Sequence, residues 1–415
     1  MKKIFVRKSP ALCGDVFISA SKNAILPILA ATLLTDRPVT IKNIPLLDDV
    51  NAMFNILSGM GSKIYMSGRD FTIDNSKINI YEPYYKSTGA LRASILILGP
   101  AISRFGSVRI KMPGGCPIGK RPIDMHLNGL SCLGMRYVFK ESFLDARAAR
   151  LCGADISLPY ASVGATENIL CASVLAKGKT TIKNAAREPE IVDLSNFLIA
   201  LGADISGAGT STITINGVKS LESAIYTPIP DRIEAGTFVA ASMITNGHIT
   251  VKNVHSGDMK ATLDTFYKMG ANLVENPDNS LTISMREDLR PVDVRCMPYP
   301  EFPTDMQPIF MSLACAANGV STICETVFEN RFMHAFELCK MKADISINGR
   351  IATIKGGKLF GQKVAATDLR AASALTIAGL YASGVTEISN AQFLTRGYEN
   401  FDVKLRSLGA RIRCV

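Results

Sequence analysis

The sequence predicts an α/β protein built from six copies of one βαβ-type unit, three to each globular half, and two recurring phrases carry that prediction. The first is a short β-branched strand closed by a turn residue: Thr40-Ile41-Lys42-Asn43, Thr181-Ile182-Lys183-Asn184, Thr250-Val251-Lys252-Asn253, Thr322-Ile323-Cys324-Glu325 and Glu387-Ile388-Ser389-Asn390. Asn suits the turn that ends such a strand. The second phrase is an apolar helix closed by Gly and followed by a strand: Met60-Gly61, Leu133-Gly134, Leu201-Gly202, Met269-Gly270, Met341-Lys342 and Leu408-Gly409. The second residues of these pairs are 73, 68, 68, 72 and 67 apart, so six units of about 69 residues fill the chain. Gly is the expected left-handed helix stop, and Lys342 replaces it in the fifth copy at some local cost.

Each unit needs a neighbour to bury its apolar helix face, and 415 residues at roughly 150 per domain suffice for more than one core. The expected domains are 20–229, carrying Lys22 and the Cys116 loop, and 1–19 with 230–415, carrying Asp305 and Arg396. Thr227-Pro228-Ile229-Pro230 marks the crossing, because alternating Pro suits neither a helix nor a central strand. The strand region Ile4 to Ile18 completes the second half and makes it discontinuous. A cleft between the halves is the default place for a ligand.

Composition narrows the class of protein. With 47% hydrophobic and 20% charged residues the chain is an ordinary globular one, which excludes disorder as its theme. The run Ile25 to Leu34 is too short to cross a bilayer, and Arg7 and Lys8 interrupt any secretory signal, so the expected location is the cytoplasm, with no membrane partner. Ten cysteines with no C-x-x-C pair, and four histidines without ligand spacing, indicate neither a zinc site nor a disulfide framework. A net charge of +10 favours anionic partners, yet no block of five like charges marks a nucleic-acid surface. Oligomeric state is not encoded in any of these features, and a monomer is compatible with all of them.

Candidate chemistry sits at helix starts and in one loop. Ser21 reads as the cap of the apolar helix Ala24 to Leu34, with Lys22 in its first turn, where a cation is unfavourable unless it shares an anion with the helix N–H groups. Pro113-Gly114-Gly115-Cys116-Pro117-Ile118-Gly119-Lys120-Arg121-Pro122 is a loop, and the cations around Cys116 favour its thiolate. Asp305, just before the apolar run Ile309 to Ala317, suits a helix cap and a general base equally, and Asp368 poses the same question ahead of Ala371 to Leu380. Arg92, Arg331 and Arg396 are further cations beside apolar helices or turns; taken singly, such residues are usually surface ion-pair partners.

These stretches together resemble the UDP-N-acetylglucosamine enolpyruvyl transferase family along essentially the whole chain. The matching segments include Ser21-Lys22-Asn23-Ala24, Leu91-Arg92-Ala93-Ser94, Pro113 to Pro122, Ser162-Val163-Gly164-Ala165-Thr166, Pro230-Asp231-Arg232-Ile233-Glu234, Phe302 to Gln307, Thr326 to His334 and Ala366 to Ala371. The Gly-Gly-Cys loop is the most specific of them. The resemblance implies a two-domain inside-out α/β barrel of enolpyruvyl transferase type, no metal and no prosthetic group. It also implies transfer of the enolpyruvyl group of phosphoenolpyruvate to the 3′-hydroxyl of UDP-N-acetylglucosamine with release of phosphate, in peptidoglycan precursor synthesis.

By the same resemblance Cys116 is the acid that protonates phosphoenolpyruvate, the residue that forms a covalent adduct and the target of fosfomycin, while Asp305 is the base. Lys22, Arg121 and Arg396 clamp the phosphate and carboxylate of phosphoenolpyruvate, and Arg92, Arg331 and Arg370 add cations around the cleft. Asn23 and Asp305 meet the amino sugar, Arg121, Pro122, Ile123, Asp124 and Met125 surround uracil, Ser162, Val163 and Gly164 hold the diphosphate, and Val327 lies on the sugar. Asp368 is counted with the substrate contacts. Two departures stand out: Tyr160 where some members have a basic diphosphate contact, and Thr395 before Arg396 where the family usually has Asp. The competing readings are the sister enzyme acting on shikimate 3-phosphate, which lacks the cysteine acid, and a non-catalytic anion- or nucleic-acid-binding paralogue.

Overall fold

The computed structural model describes residues 2–78, 92–112, 119, 122–285 and 287–415. The chain divides into two compact units, Ala20–Cys116 with Arg121–Ile229, and Met1–Ser19 with Pro117–Lys120 and Pro230–Val415.

Among the described residues the α-helices of the first unit are α1 (Lys22–Ala31), α2 (Asp48–Gly59), α3 (Leu98–Phe105), α4 (Asp124–Cys132), α5 (Val163–Ser173) and α6 (Pro189–Ala200). Helix α1 is buried from Ala24 to Ala31 and α5 from Ala165 to Ser173, on every side rather than along one stripe. Such helices belong inside a core. The strands instead alternate: in Thr212–Asn216 only Ile213 and Ile215 are buried, and in Lys179–Lys183 only Thr180 and Ile182. Among the described residues three sheets with one dry face each therefore surround buried helices, the inside-out α/β arrangement.

The second unit repeats the scheme with α7 (Arg232–Ile244), α8 (Lys260–Lys268), α9 (Gln307–Ala314), α10 (Met333–Lys340), α11 (Leu369–Tyr381) and α12 (Phe401–Ser407). All of α7 and α9 and nearly all of α11 are buried, within a core that includes Phe238, Phe310 and Tyr398.

Among the described residues, five of the six sheets join two parallel strands across one of these buried helices. Asp155–Ser157 pairs with Lys179–Lys183 across α5, Val294–Cys296 with Val320–Glu325 across α9, and Lys363–Ala365 with Val385–Ser389 across α11. For α1 and α7 the strand that completes the pair comes from the distant end of the unit. Ile225–Tyr226 pairs with Val39–Ile41, and Cys13–Phe17 pairs with His248–Lys252. Both units are consequently closed by a strand remote in sequence, which accounts for the split of the second unit around the first. The ends of these segments are pinned by buried carboxylates. Asp193 accepts from the Ile229 N–H at 3.2 Å and the Tyr226 hydroxyl at 2.6 Å. Glu234 accepts from the Ser19 N–H at 2.8 Å and Lys404 at 2.6 Å.

The repeat punctuation has a common backbone cause. Gly61, Gly134, Gly202, Gly270 and Gly409 have φ between 96° and 106°, and Lys342 adopts the same left-handed region at φ 70°. Asn43, Asn184, Asn253 and Asn390 likewise lie between 55° and 59°. In the fifth repeat Glu325 takes the Asn position, and its carboxylate accepts the N–H groups of Val327 and Phe328 at 2.8 and 3.2 Å, so a side chain makes the turn. Lys342→Gly removes the steric cost of a Cβ in that region and is expected to raise unfolding stability by about 1 kcal/mol, measured by urea denaturation.

Candidate active site

Two clusters collect most of the candidate residues, one in each unit. In the first unit Lys22 opens α1, and its ammonium lies 2.7 Å from a carboxylate oxygen of Asp49 in the first turn of α2. The anion expected beside Lys22 is thus supplied in part by the protein, with Asp49 itself favoured by the positive start of α2. Ser21 occupies the cap position with extended backbone, but its side chain makes no capping hydrogen bond. Asn23 is half-buried beside it.

Ser162, Val163 and Gly164 form the start of α5, where Ser162 caps through the Ala165 N–H at 3.4 Å. Gly164 faces the His126 ring closely: a Cβ there would lie 3.0 Å from its Cε1, tighter than ordinary packing. The same His126 pairs through Nδ1 with Nδ2 of Asn168 at 2.7 Å. Asn168 in turn donates to the Ile95 carbonyl at 3.0 Å and accepts from the Gly99 N–H at 2.8 Å. Two buried side chains thereby tie three segments together: the turn Arg92–Ile97, the start of α4 at Ile123, Asp124 and Met125, and the start of α5. Pro122 and Asp124 are exposed, Met125 is buried and Arg92 is half-buried. Free N–H groups at these starts, with Arg92 beside them, form an anion-receptive surface.

The second unit centres on Asp305. One of its oxygens accepts from Nη2 of Arg331 at 2.8 Å and the other from Nη2 of Arg370 at 2.9 Å. The guanidinium side chains are only 3% and 5% exposed, whereas the carboxylate is 29% exposed, so both cations are sunk in protein and Asp305 faces outward from them. Asp305 is therefore no cap for the helix that follows; Met306 holds the cap position of α9 without a side-chain bond. Asp368, by contrast, is a cap, with one oxygen accepting the Arg370 and Ala371 N–H groups at 2.8 and 3.1 Å.

Hydrogen bonds extend from this pair in both directions. Arg370 donates to the Tyr398 hydroxyl at 3.1 Å, and that hydroxyl also meets Thr237 at 2.9 Å and Ser373 at 3.2 Å. Burial lowers the Arg370 pKa, but Asp305, then Tyr398 and Asp231, outweigh it and hold the guanidinium above its ordinary value. On the other side Arg331 reaches the Thr304 carbonyl at 3.4 Å, and the Thr304 hydroxyl donates to Glu325 at 2.7 Å. Glu325 fixes the N–H of Val327, whose side chain is exposed. Arg396 ends the turn Ala391–Arg396, half-buried, and Thr395 closes that turn by donating to the Gln392 carbonyl at 2.7 Å.

Cys116 and Arg121 lie outside the described residues. Asp49, Tyr398, Glu325, His126 and Asn168 were not singled out as candidates by sequence. Tyr398 lies two residues after Arg396, and Glu325 is the one strand end of the repeat without Asn, but Asp49 carries no signal of its own. No group of three or more His, Cys, Asp or Glu side chains among the described residues is arranged to hold a metal ion.

A family model described as EPSP synthase (3-phosphoshikimate 1-carboxyvinyltransferase) matches residues 6–405. The chain is 48% identical to UDP-N-acetylglucosamine 1-carboxyvinyltransferase 1 of Clostridium acetobutylicum and 46% identical to UDP-N-acetylglucosamine 1-carboxyvinyltransferase 2 of Carboxydothermus hydrogenoformans, in each case over 100% of both chains. Among solved structures, the enolpyruvyl transferase NikO from Streptomyces tendae superposes with a TM-score of 0.91 at 26% identity, covering 100% of this chain and 99% of that one. EPSP synthase from Acinetobacter baumannii, at 18% identity over 100% of both chains and a TM-score of 0.78, shares the fold.

His334, on α10, is buried beside this cluster, and burial first, then Arg331, push its imidazole down to about 4 despite Asp368 pulling the other way. A histidine held below its unfolded value of about 6.5 binds fewer protons in the folded state, so its contribution to stability is present above pH 6.5 and lost as the pH falls towards 4. His334→Asn is expected to flatten the acid limb of the stability profile in that window by up to about 3 kcal/mol, read from urea midpoints at pH 7 and pH 4.5.

Proposed function

The chain belongs to the enolpyruvyl (1-carboxyvinyl) transferase family, and from that premise we propose that it transfers the enolpyruvyl group of phosphoenolpyruvate to the 3′-hydroxyl of UDP-N-acetylglucosamine and releases phosphate. The observation that carries this reading over the shikimate 3-phosphate alternative is full-length identity of 43–48% to curated relatives that all bear the nucleotide-sugar name. The product is a precursor for peptidoglycan, and the site of action is the cytoplasm. No helix among the described residues is long and apolar enough to cross a membrane.

The reaction needs one acid and one base. A proton is delivered to the methylene carbon of phosphoenolpyruvate while the sugar hydroxyl adds to the adjacent carbon, which gives a tetrahedral ketal. Loss of a proton from the new methyl group then expels phosphate with its bonding electrons and restores the double bond. Cys116 is the acid in this reading. Asp305 takes the hydroxyl proton, or the methyl proton in the elimination. Its fit to that role rests on geometry: two sunken arginines fix both oxygens in direction, and the carboxylate stays accessible.

The substrates together bring about five negative charges, which demands concentrated positive charge. Lys22, Arg121 and Arg396 take the phosphate and carboxylate of phosphoenolpyruvate. Arg92 and the helix start at Ser162, Val163 and Gly164 receive the diphosphate, while Asn23, Val327 and Asp305 meet the amino sugar and Pro122 to Met125 meet uracil. Tyr160 is exposed and adds no charge at the diphosphate, so Arg92 and the α5 N–H groups carry more of that load.

Phosphate release from phosphoenolpyruvate should therefore require UDP-N-acetylglucosamine; release with shikimate 3-phosphate instead would overturn the acceptor assignment. Asp305→Asn keeps the shape but not the basicity and is expected to lower kcat by about 10² or more, with far less change in KM. Cys116→Ser should abolish the mass increment that fosfomycin adds to the intact protein; an unchanged adduct would mean that another thiol is alkylated.

A further inference from the structure

The first unit contains a cavity of about 520 Å³ that the proposed reaction does not use. Its walls come from the far ends of the helices whose starts carry the candidate residues. Thr35 and Asp36 follow the 3-10 turn Thr32–Leu34 that continues α1, and Arg104 lies in the last turn of α3. Arg150 and Lys219 come from the loops after the strands Phe143–Arg147 and Thr212–Asn216. Ten α-helical and three 3-10 residues separate Lys22 from this end, a distance of roughly 20 Å.

Helix ends of this polarity present carbonyl groups and would by themselves repel an anion. Here that field is met by Arg104, half-buried, whose Nη1 donates to the Leu33 and Thr35 carbonyls at 2.9 Å each and whose Nη2 donates to the Asn75 carbonyl at 3.1 Å. The neighbouring cations are not consumed in this way. Arg150 and Lys219 are exposed and make no side-chain hydrogen bond or ion pair with any described residue. One exposed carboxylate, Asp36, and the hydroxyl of Ser220 share the rim.

We propose that this cavity is a second ligand site, for a phosphorylated polyol such as a sugar phosphate. The phosphoryl group lies between Arg150 and Lys219, and the polyol hydroxyls face Asp36 and Ser220. Two uncommitted cations, Arg150 and Lys219, outweigh the one carboxylate and favour an anion, and a guanidinium fork together with an ammonium suits a phosphate. The volume falls within the range of small-molecule sites and exceeds what a bare phosphate needs. Asp36 repels either phosphoryl group alike but accepts from a polyol hydroxyl, a contact available to the sugar phosphate alone, and that contact sets the preference for the esterified form.

The test is calorimetric titration of the full chain with ribose 5-phosphate and, separately, with inorganic phosphate. Saturable binding of the sugar phosphate is expected, about tenfold weaker for inorganic phosphate, and weakened a further tenfold or more in the double variant Arg150→Glu, Lys219→Glu. Turnover of that variant at the parent level shows that it folds, since neither residue belongs to the catalytic machinery. Lys22→Ala should leave the binding unchanged. Equal affinity in the double variant, loss of binding in Lys22→Ala, equal affinity for the two probes, or no saturable binding at millimolar ligand would each overturn the proposal.

Discussion

Burying a guanidinium is costly unless a carboxylate and further acceptors accompany it, and the second unit buries two of them around one aspartate. Much of that unit's polar interior follows from this constraint. Tyr398, Thr237 and Ser373 exist as a buried hydroxyl cluster because Arg370 needs an acceptor beyond Asp305. Thr304 and Glu325 extend the line from Arg331 to the turn that presents Val327. Removing one arginine would leave the rest with unmatched charge, so the network is held as a whole. The carboxylate at its centre gains a fixed direction and stays partly exposed.

The first unit solves a different problem with neutral groups. Three chain segments that begin helices or turns have to be kept in register, and His126 with Asn168 performs this through three buried hydrogen bonds. Gly164 gives the imidazole room, since a Cβ at that position would crowd it. Charge enters separately, through Lys22 held against Asp49. Any further anion at Lys22 would compete with this existing partner.

The six-unit reading of the sequence agrees with the architecture because its markers are local. A helix stop needs left-handed backbone, and so does the turn after each inner strand; Gly and Asn supply it where they stand, and the two exceptions are informative. Lys342 keeps the conformation at a steric cost, while Glu325 changes the device from backbone to side chain and so becomes available to Thr304. The comparisons with relatives support the reaction assigned from the loop and helix-start motifs.

What the sequence determined by itself was the repeat, the apolar helices, the crossing prolines and the motif positions of Lys22, Arg92, Ser162, Asp305, Arg370 and Arg396. Each is a property of a few neighbouring residues. The tertiary structure alone decided that Asp305 is bound by two arginines rather than capping α9, that Asp368 is the cap, that Lys22 already has an anion, and that His126 and Asn168 carry the first unit's register. The partners of Asp305 lie 26 and 65 residues away in the chain. Which side chains meet across such distances depends on how buried helices pack and which strands close each unit, and no local pattern of residue types records that.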